Sequence, residues 1–308
     1  MGEKSEVEEN NKLLGKGAKP LLKLVRKKNY YVYSGLHMEI SSTISVSPAA
    51  QQRRIPESPT TPLGWWEDGD ILGGRDGQGG GTWLACTRNG KLAFLTNVRE
   101  MVKKPNSQVK SRGELPIRFL KCSKSPKEFG EELLGEADRF NGFNLIVADL
   151  GSMTMVYITN RPPKDGVSAT QVSPGIHVLS NAQLDTPWPK AQRLRCRFED
   201  VMEKHLDAGI SIEGITKILM NDTTKDSDES NLPGIYTPET EYQLSAIFVE
   251  AQDTPLGRYG TRSTSAVIMR TGTADAAATI SFYERNLEND VWKEQTTGFH
   301  VEPAECDR

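Results

Sequence analysis

The sequence lacks long apolar runs and a cysteine framework. Its longest uninterrupted apolar stretches, such as residues 145–148, are far shorter than the ~20 residues that a membrane-spanning helix needs. The cysteines are widely spaced and contain no Cys-x-x-Cys pair, so neither a disulfide framework nor a structural zinc site is expected. They are Cys86, Cys122, Cys196 and Cys306. Reduced thiols and the missing span predict a soluble, cytoplasmic protein.

An excess of charge of one sign is also absent. Lys and Arg number 38 against 41 Asp and Glu, which gives a formal net charge of −3 in 308 residues. This balance provides no basic surface, so no nucleic-acid partner is expected. The N-terminal segment is rich in glutamate and has no apolar core, which predicts neither a secretory signal nor a transit peptide.

Catalytic and metal-binding motifs are missing too. Residues 73–81 are rich in glycine, but they complete neither a phosphate loop nor a Gly-x-Gly-x-x-Gly motif, and a strand follows them. A tight turn in which backbone packs against backbone is therefore favoured. The sequence has no Gly-x-Ser-x-Gly elbow, no His-Glu-x-x-His pair and no histidine cluster, so no metal site is predicted. His177 lies in an apolar, strand-like segment and is expected to be a hydrogen-bonded core histidine.

A change in composition near residue 62 divides the chain. Residues 1–61 are predicted to be a disordered, variable extension, because residues 41–61 are rich in Ser, Thr and Pro and poor in large apolar side chains. A short helix is expected within residues 8–28, and its basic end either contacts a partner or stays solvated. Residues 62–301 are expected to form one domain, followed by a tail at residues 302–308.

Two hairpins are predicted in the first half of the domain. Residues 82–87 and 91–98 are strand-like and are joined through Arg88-Asn89-Gly90, where Asn-Gly is typical of a type I′ turn. Residues 143–149 and 153–159 form the second pair. They are apolar at nearly every position, which indicates a sheet covered on both faces.

Helices are predicted between the hairpins and the later strands. The run Ser125-Pro126-Lys127-Glu128 favours a capped helix start, and this helix is expected to reach residue 140. Apolar stripes predict further helices over residues 189–206 and 212–220. Strands are expected at residues 245–250, 263–270 and 277–284. This order favours an α+β fold.

Several short segments occur in a specific order. They are residues 65–66 (WW), 71–76 (ILGGRD), 80–84 (GGTWL), 94–100 (FLTNVRE), 141–145 (NGFNL), 174–181 (PGIHVLSN) and 255–263 (PLGRYGTRS). Together they resemble the NRDE family over residues 54–301. The resemblance implies a fold of the N-terminal-nucleophile-hydrolase type, in which two stacked antiparallel sheets lie between layers of helices (αββα).

The N-terminal end departs from the family pattern. Members begin Met-Cys and soon carry an Asn-Arg-Asp-Glu box, whereas this chain begins Met1-Gly2 and has no such box before residue 54. The first strand of the fold is therefore expected to be missing, which would leave a sheet edge exposed.

The resemblance also supplies five candidate pocket residues. Asn97, Asn181 and Arg262 occupy the positions of oxyanion and electrostatic groups in such hydrolases, and Arg75 and Asp76 are expected nearby as supporting or structural partners. Because strand ends can converge at one rim of stacked sheets, these side chains are predicted to line a common cleft. Structural alternatives remain open, since Asn can end a strand and Arg262 can form an ion pair.

The function that the resemblance implies is a role in Golgi organisation and protein secretion, and in handling haem or lipid metabolites. We expect a non-catalytic member with no cofactor of its own, whose pocket binds haem or an acyl metabolite as a transported ligand. Golgi or mitochondrial association would follow from the family. One alternative is an amidohydrolase of non-peptide C–N bonds, if the true N-terminus is Met-Cys. Another is an interaction protein that acts through residues 1–61.

The purified protein is expected to hydrolyse acyl amides no faster than background. Removal of Met1 would expose Gly2, which has no nucleophilic side chain. Loss of the attacking group typically costs on the order of 10⁶ in rate. A panel of acyl-amide substrates measures this, and turnover that a thiol or hydroxyl reagent abolishes would contradict the expectation.

Overall fold

The computed structural model describes residues 30–33, 41–46, 60–101, 109–162, 166–205, 211–254, 257–270 and 277–302. The helix expected within residues 8–28, together with Leu206, Cys306 and most of the expected tail, lies outside these ranges.

Runs of strands are separated by runs of helices along the described chain. The strands are β1 (Tyr30–Tyr33), β2 (Ser41–Val46), β3 (Thr60–Trp65), β4 (Ile71–Asp76), β5 (Leu84–Thr87), β6 (Lys91–Asn97), β7 (Phe143–Asp149), β8 (Thr154–Thr159), β9 (Ser168–Gln171), β10 (Gly175–Val178), β11 (Gln252–Thr254), β12 (Gly257–Tyr259), β13 (Thr261–Arg270), β14 (Thr279–Glu288) and β15 (Val291–His300). The α-helices are α1 (Glu114–Lys121), α2 (Pro126–Leu134), α3 (Pro189–His205), α4 (Ile212–Met220) and α5 (Pro238–Leu244). Among the helices described, none combines the length and the apolar character that a membrane crossing requires.

The strands form two main sheets. Strands β3 to β9 make a seven-stranded sheet in which each strand pairs antiparallel with the next in sequence. The second sheet has the order β15-β14-β13-β2. Two smaller pairs complete the strand set: β1 with β10, which is parallel, and β11 with β12, which is antiparallel.

Apolar side chains from both main sheets fill the space between them. Phe94 and Ile146 of the larger sheet share one buried cluster with Val267 and Phe282 of the smaller sheet. Side chains alternate between the two faces of a strand, so the intervening residues point outward and must be covered by another layer.

Helices provide that cover on both sides. On the seven-stranded sheet, Phe119 of α1 and Leu133 of α2 share a cluster with the outward Leu145 and Val147. On the smaller sheet, Phe198 of α3 and Leu219 of α4 cover Ala266 and Ile268. The four layers are therefore helices, sheet, sheet and helices, which confirms the predicted αββα arrangement.

Most locally encoded elements are confirmed. Both hairpins form, and Ser125 and Glu128 make the reciprocal hydrogen bonds of a capping box at the start of α2. The helix ends at Leu134, earlier than predicted, and a short 3₁₀ helix at Ala137–Arg139 follows it. Helices α3 and α4 lie where apolar periodicity places them.

The predicted type I′ turn between β5 and β6 is wrong. Only Gly90 has a positive φ, at 89°, and its N–H donates to Thr87 O at 3.1 Å. The connection is therefore a three-residue loop that ends in a left-handed glycine. The turn with positive φ at both central residues instead joins β14 to β15, at Asn289 (49°) and Asp290 (62°).

The segment at residues 245–250 is not a strand, contrary to the sequence prediction. It follows α5 as an irregular and largely buried connection. Its backbone does not pair with a strand. Instead, Phe248 N donates to Asp222 O at 2.8 Å, and Val249 N donates to Thr261 Oγ1 at 2.9 Å. Apolar composition indicated burial correctly, but burial alone does not specify a strand.

Two strands lie within the segment that was predicted to be disordered. β2 pairs antiparallel with β13 and β1 pairs with β10. The sequence predicted an exposed edge or a gap in one sheet without specifying the strand, and β2 covers the edge of β13. Strand pairing is made by backbone groups, so a segment poor in large apolar residues can still join a sheet. The domain boundary near residue 61 remains a prediction.

The glycine-rich segment is partly strand and partly turn. Gly73 lies within β4, where a Cβ atom would come within 2.5 Å of the Ala85 Cβ. In the turn that follows β4, a Cβ on Gly81 would come within 2.6 Å of the Gly113 backbone. Glycine is required at both positions because another backbone approaches closely.

A buried carboxyl group ties the two sheets together at β3. The register of β3 against β4 shifts between Thr61 and Gly64, which interrupts the ladder at Leu63. Leu63 N instead donates to Glu284 Oε1 of β14 at 2.7 Å, and the Gln295 side chain of β15 donates to Leu63 O. Glu284 is only 1% exposed, and this burial raises its pKa to about 7.

Glu284 is expected to make the stability of the protein fall as pH rises. Between the ordinary glutamate pKa and about 7, the folded protein holds the proton more tightly than the unfolded chain does. The loss across this window is at most about 3 kcal/mol. Urea unfolding between about pH 5 and 8 measures it, with E284Q as the variant that retains an acceptor for Leu63 N. An identical pH dependence in both proteins would contradict the assignment to Glu284.

Candidate functional site

The structure brings two of the predicted site residues into contact. Asn97 ends β6, and Asn181 lies in the loop after β10. Asn181 Nδ2 donates to Asn97 O at 2.8 Å, and Arg99 N donates to Asn181 O at 2.7 Å. The chain after β6 is thereby joined to the loop that carries Asn181.

A polar network under this loop fixes its position. The fully buried Asn144 donates through Nδ2 to Ala182 O at 2.8 Å and to Thr96 Oγ1 at 3.1 Å. The Tyr157 hydroxyl donates to Asn144 Oδ1 at 2.7 Å, and Thr96 Oγ1 donates to Ser180 O at 2.9 Å. Such satisfied networks specify one geometry, because leaving any buried member unpaired is costly. In the sequence, the sign of this network is a polar residue, Asn144, within the otherwise apolar segment that forms β7.

A buried ion pair anchors the segment beyond Asn97. Arg99 Nη1 lies 2.6 Å from Glu241 Oε2, and the side chains are 7% and 2% exposed. The other Glu241 oxygen accepts from Ile235 N and Tyr236 N, at 3.1 and 3.0 Å. The Arg99 guanidinium also lies over the Trp188 ring, 4.8 Å from its centroid. This pair therefore connects β6 to α5 and to the start of α3.

Two titratable groups beside Arg99 have shifted pKa values. Lys190 is half-buried and donates through Nζ to Leu244 O at 3.1 Å. Burial and the Arg99 charge lower the pKa of Lys190 to about 7. Burial raises the pKa of Tyr259 to about 12, although the nearby Arg99 opposes this shift.

A second ion pair closes the same end of the seven-stranded sheet. Arg161 binds Glu100 through two hydrogen bonds, Nε to Oε2 at 2.7 Å and Nη2 to Oε1 at 3.1 Å. Gly142 N donates to Glu100 Oε1 at 3.0 Å. Burial alone would raise the pKa of Glu100, but these hydrogen bonds outweigh it and lower the pKa.

Arg75 and Asp76 lie at this end of the sheet, but their hydrogen bonds are made within the turn that follows β4. β4 and β6 both run antiparallel to β5, so their last residues share one edge. Arg75 contacts Gly80 O and stacks on Trp66, 4.9 Å from the ring centroid. Asp76 Oδ1 accepts from Gln78 N at 2.9 Å. Their described contacts are local and structural.

Arg262 belongs to the other sheet. It is half-buried near the start of β13, at the irregularity between Thr261 and Ser263. A cleft shared by Arg262 and the two asparagines remains a prediction.

The expectation of a hydrogen-bonded His177 is confirmed. Its Nδ1 lies 2.7 Å from Asp185 Oδ2, and its Nε2 lies 2.9 Å from Ser173 O. Burial would lower the pKa of His177, but the two acceptors favour the doubly protonated ring and raise it. Across the residues that the structure describes, no three His, Cys, Asp or Glu side chains form a group that could hold a metal ion.

Comparisons with known proteins agree on one family. The family model described as "Transport and Golgi organisation 2" matches residues 55–289. The Transport and Golgi organization protein 2 homolog of Bos taurus is 31% identical over 248 residues, which cover 76% of this chain and 83% of the bovine protein. The Homo sapiens homolog is 30% identical over 251 residues, covering 77% and 86%.

Two solved structures are similar over most of their length. A mutant and a variant of the conjugated bile acid hydrolase from Clostridium perfringens are each 10% identical to this chain. The matches cover 89% and 91% of this chain and 91% and 98% of those proteins, with TM-scores of 0.42 and 0.41. The αββα layering rests on the strand order and core of the protein itself.

Removal of the Glu241 carboxylate is expected to destabilise the protein strongly. Glu241→Ala leaves the Arg99 guanidinium buried without its partner and frees two backbone N–H groups. A loss of about 3–5 kcal/mol in the free energy of unfolding is expected. The exposed Glu239, on the same helix, provides the matched control, and Glu239→Ala should change stability little. Equal losses in the two variants, measured by urea unfolding, would contradict the anchoring role.

Proposed function

The chain belongs to the Transport and Golgi organisation 2 family, and on this basis we propose that it acts in transport and Golgi organisation as a ligand-binding protein. Under this proposal it catalyses no hydrolysis, and it works in the cytoplasm in association with the Golgi. The names of the bovine and human relatives support the Golgi role. The proposed binding region is the rim formed by the end of β6, the loop after β10 and the start of β13.

The observation that carries the proposal is the hydrogen bond from Asn181 Nδ2 to Asn97 O, at 2.8 Å. An oxyanion hole needs donors that point at the charge developing on the substrate. Asn181 commits one of its amide donors to the main chain, and the loop around it is held by Asn144 and Thr96. This geometry favours a rigid binding rim, in which Asn181 positions the loop.

The ligand class follows from the charge at this rim. The guanidinium of Arg262 can bind a carboxylate or a phosphate through paired hydrogen bonds. We therefore propose haem, through a propionate, or an acyl thioester, through a phosphate, as the transported ligand.

Arg262→Ala is expected to weaken ligand binding while leaving the fold intact. Loss of a charge-assisted hydrogen-bond donor should cost about 1–3 kcal/mol, or roughly 5- to 150-fold in Kd. Haem titration followed by absorbance measures this, and a parallel titration with an acyl thioester distinguishes the two ligands.

Arg262→Lys is the matched control, because it keeps the charge but loses the paired geometry. Its affinity should lie between those of the wild type and Arg262→Ala. Thermal unfolding of each variant separates binding from stability. A lower Tm with unchanged affinity per folded molecule would make Arg262 a structural residue and would refute its place in the binding region.

The Golgi role has its own test. In cells that lack the protein, wild-type protein should restore Golgi morphology, and Arg262→Ala should restore it poorly at equal abundance. Full restoration by a variant with no measurable ligand affinity would separate the Golgi role from ligand binding and reject the combined proposal.

A further inference from the structure

The loop between α4 and α5 presents several hydroxyl side chains among charged residues. Residues 221–228 have no regular secondary structure, and a short 3₁₀ helix at Glu229–Asn231 follows them. An exposed hydroxyl on a loop is accessible to a modifying enzyme, whereas a hydroxyl within a sheet or a core is not. The exposed hydroxyl residues of this loop are Thr223, Thr224, Ser227 and Ser230. Their contacts differ, and these differences decide which hydroxyl is available.

Two of these hydroxyl residues are held by other groups. Ser230 lies in the 3₁₀ helix, and its Oγ donates to Asp228 Oδ1 at 2.6 Å. Thr224 is fixed through its backbone, since its N donates to Asp222 Oδ1 at 2.8 Å and its O accepts from Arg193 Nη2 at 2.6 Å. A modifying enzyme could use either residue only after these hydrogen bonds were broken.

Thr223 lacks accessible negative charge beside it. The preceding Asp222 is only 3% exposed, and its Oδ2 lies 3.3 Å from Arg193 Nε and 3.3 Å from Arg197 Nη2. The first charged residue after Thr223 is a cation, Lys225. Thr223 is therefore exposed, but its immediate surroundings are not acidic.

Ser227 combines a free hydroxyl with accessible carboxylates. Its Oγ makes no hydrogen bond with any residue that the structure describes. Asp226 precedes it, and Asp228 and Glu229 follow it; within the described part of the chain, none of these three carboxylates forms an ion pair. Ser227 also lines a cavity of about 420 Å³ against α5, which leaves room for a phosphoryl group. Glu239 of α5 adds a further carboxylate to the lining of this cavity.

We propose that Ser227 is a phosphorylation site, modified by a protein kinase whose substrate-binding surface is basic. The Ser227 Oγ attacks the γ-phosphorus of ATP, so that an O–P bond forms and the bond between the γ-phosphorus and the bridging oxygen breaks, which releases ADP. The hydroxyl proton passes to the catalytic carboxylate of the kinase. ATP and the kinase are the only further reactants that the step needs.

The charges around Ser227 select this class of kinase. Complementary charges across an interface speed the encounter and fix the register, whereas like charges exclude the wrong partner. The exposed Asp228 and Glu229 therefore favour a kinase with a basic surface and disfavour one that recognises basic substrates. The bound phosphate would add about −1.5 to −2 charge to the loop at pH 7.

The test uses the purified full-length protein with ATP and a kinase that prefers acidic substrates, and in parallel a kinase that prefers basic ones. We expect the first kinase to incorporate phosphate faster, and peptide mass mapping should place that phosphate on Ser227. S227A should lose the incorporation, and S227T, which keeps a hydroxyl, should retain it. The proposal is overturned if S227A is labelled as fast as the wild type, or if mapping places the phosphate on Thr223 or Ser230.

The role of the flanking charge has a paired test at Glu229. E229Q removes an exposed carboxylate that makes no ion pair among the described residues, and it should lower the rate of phosphorylation several-fold. E203Q removes an exposed carboxylate of α3 and is the matched control, which should leave the rate unchanged. Thermal unfolding confirms that each variant is folded. Equal rates in E229Q and the wild type, or faster labelling by the kinase that prefers basic substrates, would refute recognition through the acidic flank.

Discussion

The central strands of each main sheet bury apolar side chains on both faces, and this constraint determines the architecture. A strand such as β7 buries alternate side chains toward the other sheet and the intervening ones toward α1 and α2. Burying a large apolar side chain contributes about 1.5–3 kcal/mol, so neither face can be left in water at an acceptable free energy. Two sheets that face each other, each with a helical cover, satisfy all four faces at once. The helix-sheet-sheet-helix order is therefore a consequence of the pattern in the strands.

Because the faces of the stacked sheets are buried, polar groups cluster at the ends of the strands. The end of β6 and the start of β7 carry polar residues in place of apolar ones. There Thr96, Asn144 and Asn181 make hydrogen bonds that hold the loops leaving the sheet. The Arg99–Glu241 pair then holds the next segment against α5. A buried ion pair contributes little net stability compared with apolar packing, but breaking it is costly. Its main effect here is to fix where the loops at this end of the sheet lie, as the proposed binding region would require.

Elements that depend on neighbouring residues could be predicted from the sequence. Features that depend on residues far apart in the chain could not. The capping box at Ser125 and the stripes of α3 and α4 need only neighbouring residues, and they form as predicted. The Asn89-Gly90 turn was misjudged because loop length, which the ladder register sets, decides the turn type. Asn181 hydrogen-bonds the main chain of Asn97, whereas a cleft lined by both side chains stays a prediction. Glu241 could not be recognised, because its partner Arg99 is 142 residues away and no local pattern links them.

Burial gives Glu284 and Lys190 similar pKa values, near 7, from opposite directions. Their surroundings nevertheless assign them different roles. Glu284 faces a main-chain N–H and a serine hydroxyl, which hydrogen-bond its carboxyl group and hold β3 against the other sheet. Lys190 is half-buried, and its Nζ donates to Leu244 O at 3.1 Å and lies 5.9 Å from the centroid of the Trp188 ring. The carboxyl group is thus bound within the fold, whereas the side chain of Lys190 keeps donors that can face solvent. The contacts that a charged group makes, more than its pKa, therefore show how firmly it belongs to the fold.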